Sequence, residues 1–335
     1  MHPSTPSAPA GSIVCFGEAL IDFLEQPPAS PRQPHTFVQY AGGAPANVAV
    51  AVARLGGRAA FVGMFGADLF GDFLLDSLAA AGVDTACAVR TSAAKTALAF
   101  VALDAHGERS FSFYRPPAAD LLFRAEHFDD ACFAGAAAFH VCSNSLTEPP
   151  IAEATLAGMA RARAARALVS FDMNLRPALW PAGADPHPVL WRALHAADLV
   201  KLSAEEFAHL AAARGSEAAV LEALWQGHAR ALVVTHGADP LHWFTPQRSG
   251  GVPAFRTRAV DTTAAGDAVV GGLLYALAAD GVVAEALPAF AADAARFEHA
   301  LRFAAACGAR AVTRHGAFAA MPTLAEVETL LEENA

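Results

Sequence analysis

Short β-branched or aromatic runs alternate with Ala-rich stretches of helical length along most of this chain, and few folds accommodate that order. Ile13–Phe16, Ala59–Met64, Ala137–Val141, Leu168–Phe171, Leu199–Lys201 and Leu232–Val234 are short and almost wholly apolar, as strands buried on both faces are. Between them, Ala46–Leu55, Phe70–Ala81, Ile151–Arg163, Ala204–Ala213, Ala218–Gln226 and Ala268–Ala279 have the length and composition of helices. Strand then helix, repeated, predicts an α/β fold with a doubly wound, mostly parallel sheet and helices on both faces. Two insertions break the rhythm. Residues 23–40 and 93–116 are richer in Phe, Tyr, Thr and Pro and alternate apolar with polar, as in Leu98–Leu103 and Arg109–Tyr114. Asp104-Ala105-His106-Gly107 supplies a hairpin turn between those two runs. A small β-sheet built from these pieces would project from the main body. Residues 1–10 have neither a cationic start nor an apolar stretch and are expected to be a disordered lead-in, leaving 11–335 as one domain.

Composition narrows the partners. With 54% hydrophobic and 17% charged residues there is ample material for a core. A formal net charge of −10 disfavours nucleic acid or an anionic membrane surface. The longest clean apolar run, Ala268–Ala279, lies between Asp267 and Asp280 and falls short of the roughly 20 residues a membrane span needs. The cysteines at 15, 87, 132, 142 and 307 are odd in number and never form a Cys-x-x-Cys pair. Buried free thiols in a reducing cytoplasm are the expectation. The 13 histidines show no ligand spacing.

Three segments carry chemistry. In Val260-Asp261-Thr262-Thr263-Ala264-Ala265-Gly266-Asp267, small residues leave the backbone nearly bare just before an apolar helix. Such a turn aims several N–H groups, and the positive end of the helix, at one spot. That is a cradle for a phosphoryl group, with Asp267 beside it as a proton acceptor. Alone, the segment also suits a helix N-terminus whose Asp favours the macrodipole. In Gly42-Gly43-Ala44-Pro45-Ala46-Asn47, glycines permit close backbone approach and Asn47 offers a donor and an acceptor. A Gly turn before a buried helix would look the same. Asp22, in Gly17-Glu18-Ala19-Leu20-Ile21-Asp22-Phe23, lies just past the carboxyl end of the first strand, the edge where open α/β sheets place ligands.

Together these segments resemble the ribokinase/PfkB family of sugar and nucleoside kinases, over about Ile13 to Pro322. Gly17–Phe23, Phe113-Tyr114-Arg115-Pro116 and Asp172-Met173-Asn174-Leu175-Arg176 with Leu179-Trp180 look most like bacterial fructokinases. The resemblance implies a ribokinase-like fold whose small sheet is a lid over the sugar and a homodimer contact, with ATP and Mg²⁺ as cosubstrate and metal. Asp22, Gly42, Gly43 and Asn47 would hold the sugar, with Asn174 and Arg176 from the cleft, unless Arg176 binds the transferring phosphate or merely a surface carboxylate. Arg115 would reach it from the lid, unless it is a solvated strand residue. Ala264, Ala265, Gly266 and Asp267 would carry catalysis, helix amides keeping Asp267 ionised. Ser203 and Glu206, standing where the family has Asn-x-x-Glu, would organise magnesium through water; the same residues also spell a capping box. Thr235 and Gly237 match the family's Thr-x-Gly at the nucleotide phosphates, although Pro240 follows where relatives continue with Gly. Ala305 occupies a place where Asn commonly lies near adenine. Asp261 and the loop Arg314-His315-Gly316-Ala317 would hold K⁺ beside the cradle, or Asp261 is a turn-former only. Ala264 stands where most relatives have Gly, and a negative φ is expected there.

Rival readings use the same scaffold. A 2-keto-3-deoxygluconate kinase needs cations for its substrate carboxylate, for which Arg115 and Arg176 are available. A sugar-binding regulator descended from a kinase would explain Ala264, Pro240 and Ala305, but intact Gly266 and Asp267 argue against it.

Overall fold

The structure, a computed structural model, describes residues 11–26, 30, 34–103 and 109–334. The lead-in 1–10 and the turn Asp104–Gly107 lie outside the described residues. In chain order, the first part contains β1 (Ser12–Phe16), β2 (Leu20–Gln26), β3 (Thr36–Gly42), α1 (Ala44–Arg54), β4 (Ala59–Gly66) and α2 (Leu69–Ala80). Next come β5 (Ala88–Thr91), β6 (Leu98–Leu103), β7 (Arg109–Tyr114), β8 (Ala136–Cys142), α3 (Pro149–Ala164) and β9 (Leu168–Asp172). They are followed by α4 (His187–Ala196), β10 (Leu199–Ser203), α5 (Ala204–Arg214), α6 (Glu217–Trp225) and β11 (Ala231–Thr235). The chain closes with β12 (Leu241–Phe244), β13 (Ser249–Val252), α7 (Ala265–Ala279), α8 (Leu287–Ala292), α9 (Ala294–Ala311) and α10 (Leu324–Glu333).

Among the described residues the main sheet has nine strands in the order β13-β12-β11-β10-β9-β8-β1-β4-β5. Every pair from β11 to β5 is parallel, and β12 and β13 add an antiparallel edge. All six expected strands are present. Alternate side chains feed two cores. Ile13, Cys15, Leu199 and Val233 pack with α1, α7 and α9 on one face. Val14, Phe16, Val200 and Val234 pack with α3, α4, α5 and α6 on the other. Period-2 alternation makes both faces apolar, which is why the strands look uniformly hydrophobic. The winding reverses at β1, between β8 and β4, and such a reversal opens a crevice at the carboxyl ends.

Two glycines let α7 sit deep in the first core. A Cβ on Gly271 would lie 2.5 Å from Ala51 Cβ, and one on Gly272 would lie 2.6 Å from Cys307 Sγ. Only hydrogen fits between α7 and its neighbours α1 and α9.

The expected small sheet is there, in the order β3-β2-β6-β7. Strands β2 and β3 pair antiparallel from Leu20↔Gly42 to Gln26↔Thr36, β2 and β6 are parallel, and β6 and β7 antiparallel. Phe100 stacks on Phe23 at 5.0 Å and meets Phe37 and Tyr114 edge-on at 5.4 and 5.3 Å. Phe37 and Tyr114 are nonetheless 41% and 67% exposed.

The cysteine expectation needs correcting. Cys15, Cys142 and Cys307 are free and buried, but Cys87 and Cys132 form a disulfide with Cα atoms 6.1 Å apart. The fold brings the segment before β5 against residues 130–132, a proximity that a separation of 45 residues does not announce. No helix among the described residues is long and apolar enough to cross a membrane.

Candidate active site

The turn into α7 is built as a cradle. Asp261 Oδ1 accepts from the Thr263 amide (2.8 Å), and Ala265 N donates to Thr262 O (3.3 Å). Ala264 then reverses the chain into the helix with φ 58° and ψ 13°. This overturns the expected negative φ. The reversal needs a left-handed residue, and Ala supplies it at about 1 kcal/mol relative to Gly. Among the described residues no side chain caps this terminus, and the first-turn amides of Gly266 and Asp267 have no acceptor inside the helix.

Asp267 is buried and faces the N-terminus of α1. Asn47 Nδ2 donates to its Oδ2 at 2.7 Å, joining residues 220 apart in sequence. Asn47 Oδ1 is buried and has no partner among the described residues, which leaves an acceptor ready for a ligand hydroxyl. Burial, with the charge of Asp172 next, raises the Asp267 carboxyl to about 7; Asn47, Lys201 and Arg176 oppose the shift. The helix amides therefore do not hold Asp267 at an ordinary carboxylate pKa, as the sequence led us to expect. Asp22 lies so near Gly42 that a Cβ there would be 2.2 Å from its Oδ2. Its carboxyl is also pushed up to about 7, by burial first and then by Asp267 and Asp261.

Sequence reasoning missed Lys201 as a site residue. Its Nζ lies 3.0 Å from where a Cβ on Gly266 would be, so a buried ammonium borders the cradle. It donates to Asp172 Oδ1 and Oδ2 at 3.1 and 3.2 Å. Burial works to lower its pKa, but Asp172 and Glu206 outweigh burial and raise it. The available signal was a lysine within the apolar strand run Leu199–Leu202, since a buried charge requires a partner.

Ser203 and Glu206 form the capping box. Ser203 Oγ accepts from Glu206 N at 3.2 Å, while Glu206 Oε2 accepts from Ser203 N at 2.7 Å. Glu206 Oε1 also accepts from Leu175 N at 2.7 Å, so it ties down the loop after β9. Burial and then Asp172 push its pKa up. In that loop Asn174 is buried with φ 37°, and Arg176 is exposed yet still acts on Asp267. Thr235 ends β11, and Gly237, at φ 63°, turns the chain so that Asp239 N reaches His236 O at 3.1 Å. Pro240 follows that turn and leads directly into β12. Ala305 is half-buried on α9, which packs against α7. The loop 314–317 does close on Asp261, whose Oδ2 accepts from Gly316 N at 3.1 Å. Arg115 is neither solvated nor free. It is 2% exposed, and its Nε and Nη2 donate to Asp120 Oδ2 at 2.9 and 2.6 Å.

The fit of a metal follows from the acidic groups. Among the described residues no three His, Cys, Asp or Glu side chains surround one point. Glu206 and Asp172 are buried neighbours, each already ordered by hydrogen bonds. Such a pair suits Mg²⁺ held through its waters and through substrate phosphates, not a cage of protein ligands.

Bare helix-terminal amides, a buried carboxyl raised to about 7 and a buried ammonium gather at the carboxyl edge of a doubly wound sheet, an arrangement that suits an α/β kinase for a small hydroxyl compound. Residues 10–324 match the pfkB family carbohydrate kinases, and the chain belongs to that family. It is 42% identical over 322 residues to fructokinase-1 of Zea mays, covering 96% of this chain and 98% of that one. A crystal structure of fructokinase with bound ATP from Xylella fastidiosa superposes with a TM-score of 0.93 at 60% identity, covering 96% and 98%. The Vibrio cholerae O395 fructokinase, in a form with bound fructose, ADP and calcium ion, gives 0.84 at 34% identity, covering 96% and 99%.

Proposed function

We propose that this carbohydrate kinase transfers the γ-phosphoryl group of ATP to a hydroxymethyl group of fructose. The observation that carries the reading is the 2.7 Å contact of Asn47 with Asp267 at the mouth of the cradle. Sugar-holding and phosphate-holding segments meet there. Asp22, Gly42, Gly43 and Asn47 bind hydroxyls, with Asn174 and Arg176 on the opposite wall. Asp267, with a pKa near working pH, takes the hydroxyl proton as the oxygen attacks phosphorus and ADP leaves. The amides of Gly266 and Asp267 and the Lys201 ammonium stabilise charge on the transferring group. Ser203 and Glu206 would hold Mg²⁺ through water, and bound there it would neutralise charge on the phosphates. Thr235 and Gly237 serve the nucleotide phosphates, and Ala305 borders the adenine. K⁺ beside Asp261 and a lid-to-lid homodimer belong to the same proposal. Dependence on ATP supports a cytoplasmic site of action, against which stands the Cys87–Cys132 disulfide, a feature more usual of oxidising compartments.

The acid-sugar reading loses one of its two cations, because Arg115 is committed to Asp120. A coupled assay of ADP release with fructose, ribose, 2-keto-3-deoxygluconate, adenosine and no acceptor tests the choice. Turnover with fructose well above the others is expected. Preference for another acceptor, or silence with all of them, would remove the reading.

A further inference from the structure

Four crossings of the chain join the small sheet to the main body; two of them meet at one buried carboxylate, and a third brings a guanidinium within its electrostatic reach. Glu18 lies in the crossing from β1 to β2 and is 1% exposed. Its Oε1 accepts from the amide of Ala44, the first residue of α1 after β3, at 3.2 Å. The same oxygen accepts from Asn144 Nδ2, just past β8, at 2.8 Å. The crossing out of β7 delivers Arg115, whose guanidinium is held charged by Asp120 and then by Glu18. At Gly43, φ is 105° and a Cβ would lie 2.5 Å from the Glu18 carbonyl oxygen, so this junction has no slack. The fourth crossing, into β6, is tied separately, with Thr96 N and Oγ1 donating to Asp68 at 2.9 Å each.

Helix α1 lacks a side-chain cap from Gly43, and Glu18 supplies one from another element. An acceptor at a helix N-terminus fixes the direction in which the helix enters. That direction places Asn47, one turn further on, against Asp267. The strand leaving Glu18 carries Asp22. We propose that Glu18 is a positioning residue: by tying the β1–β2 and β3–α1 crossings to the end of β8, it sets Asp22 and Asn47 in register with the cradle and fixes the pose of the lid. Glu18 contributes through these contacts, and its removal loosens one sheet while sparing the other.

The kinetic part of the test rests on the proposed sugar kinase activity; the exchange part does not. Glu18→Gln removes the charge facing Arg115 and keeps an oxygen for Ala44, while Glu18→Ala removes both. Hydrogen exchange on the free protein is expected to quicken in β2, β3 and β7 by about tenfold or more in Glu18→Ala, and less in Glu18→Gln, with β9–β11 unchanged. In turnover, KM for the sugar should rise by about tenfold while KM for ATP stays within about threefold, the mark of misplaced Asp22 and Asn47. Unchanged lid exchange, or equal quickening in both sheets, overturns the proposal whatever the acceptor proves to be. A wild type inactive with fructose would sink the substrate assignment and leave the exchange result to decide the role of Glu18.

Discussion

Burial and the neighbouring Asp172 hold the Asp267 carboxyl near 7, against 3.8 in ordinary surroundings. Between these values the folded protein binds a proton that the unfolded chain has already released. The resulting stability is present below about pH 4, declines as pH rises and is lost above about 7. Asp267→Asn never ionises, so its melting temperature should exceed that of the wild type at pH 8 and converge towards it at pH 5. Its kcat should fall by roughly 10²–10⁴-fold, the usual worth of a general base. For the wild type, kcat/KM should drop as pH falls through about 7, where the free enzyme's base becomes protonated. Thermal melts at the two pH values beside steady-state kinetics make the check; a variant keeping more than about a tenth of kcat places the base elsewhere. Asp267 itself was legible in the sequence, since Gly266-Asp267 opens an apolar helix. Its pKa was not, because Asp172 reaches it from a strand nearly a hundred residues away.

The loop after β13 shows what one local element can announce. Its small residues betrayed the cradle, but the handedness of Ala264 depends on Thr262 O and on where α7 must point. Three hydrogen bonds tie this loop to the C-terminal segment: Asp261 Oδ2 accepts from Gly316 N, and Val312 O accepts from both Val260 N and Asp261 N. A monovalent cation bound beside Asp261 would tighten the cradle. Replacing sodium by potassium should therefore raise kcat severalfold in a steady-state assay, with a bulky organic cation giving the lower rate. Equal rates in all three salts would leave Asp261 as a turn-former alone. Edge elements were harder to read than this loop. Strand β13 contains Gly250 and Gly251 and spans four residues, too short for alternation to register. Helix α4 begins with His187-Pro188 after a Pro-rich stretch, a pattern that also describes a loop.

At the scale of the whole molecule, uniformly apolar strands made the central sheet plain in advance, because burial on two faces leaves no polar side to obscure them. The contacts of Glu18 with Ala44 and Asn144 were invisible, since they depend on where separate crossings of the chain meet. The small sheet leaves Phe37, Val38 and Tyr114 exposed, apolar area that a second copy of the chain can cover. Sedimentation should show a dimer for the wild type and a monomer for the Phe37→Asp, Tyr114→Asp variant; a monomeric wild type would end that proposal. The contact of Asn47 with Asp267 also has a consequence during synthesis. At about 5–20 residues per second the ribosome needs roughly ten to forty seconds to travel from one residue to the other. Throughout that interval α1 has been made but lacks α7, the helix that covers its apolar side. The nascent chain must therefore keep this helix from aggregating, and the contact of Asn47 with Asp267 cannot form until the last fifth of the chain has begun to emerge.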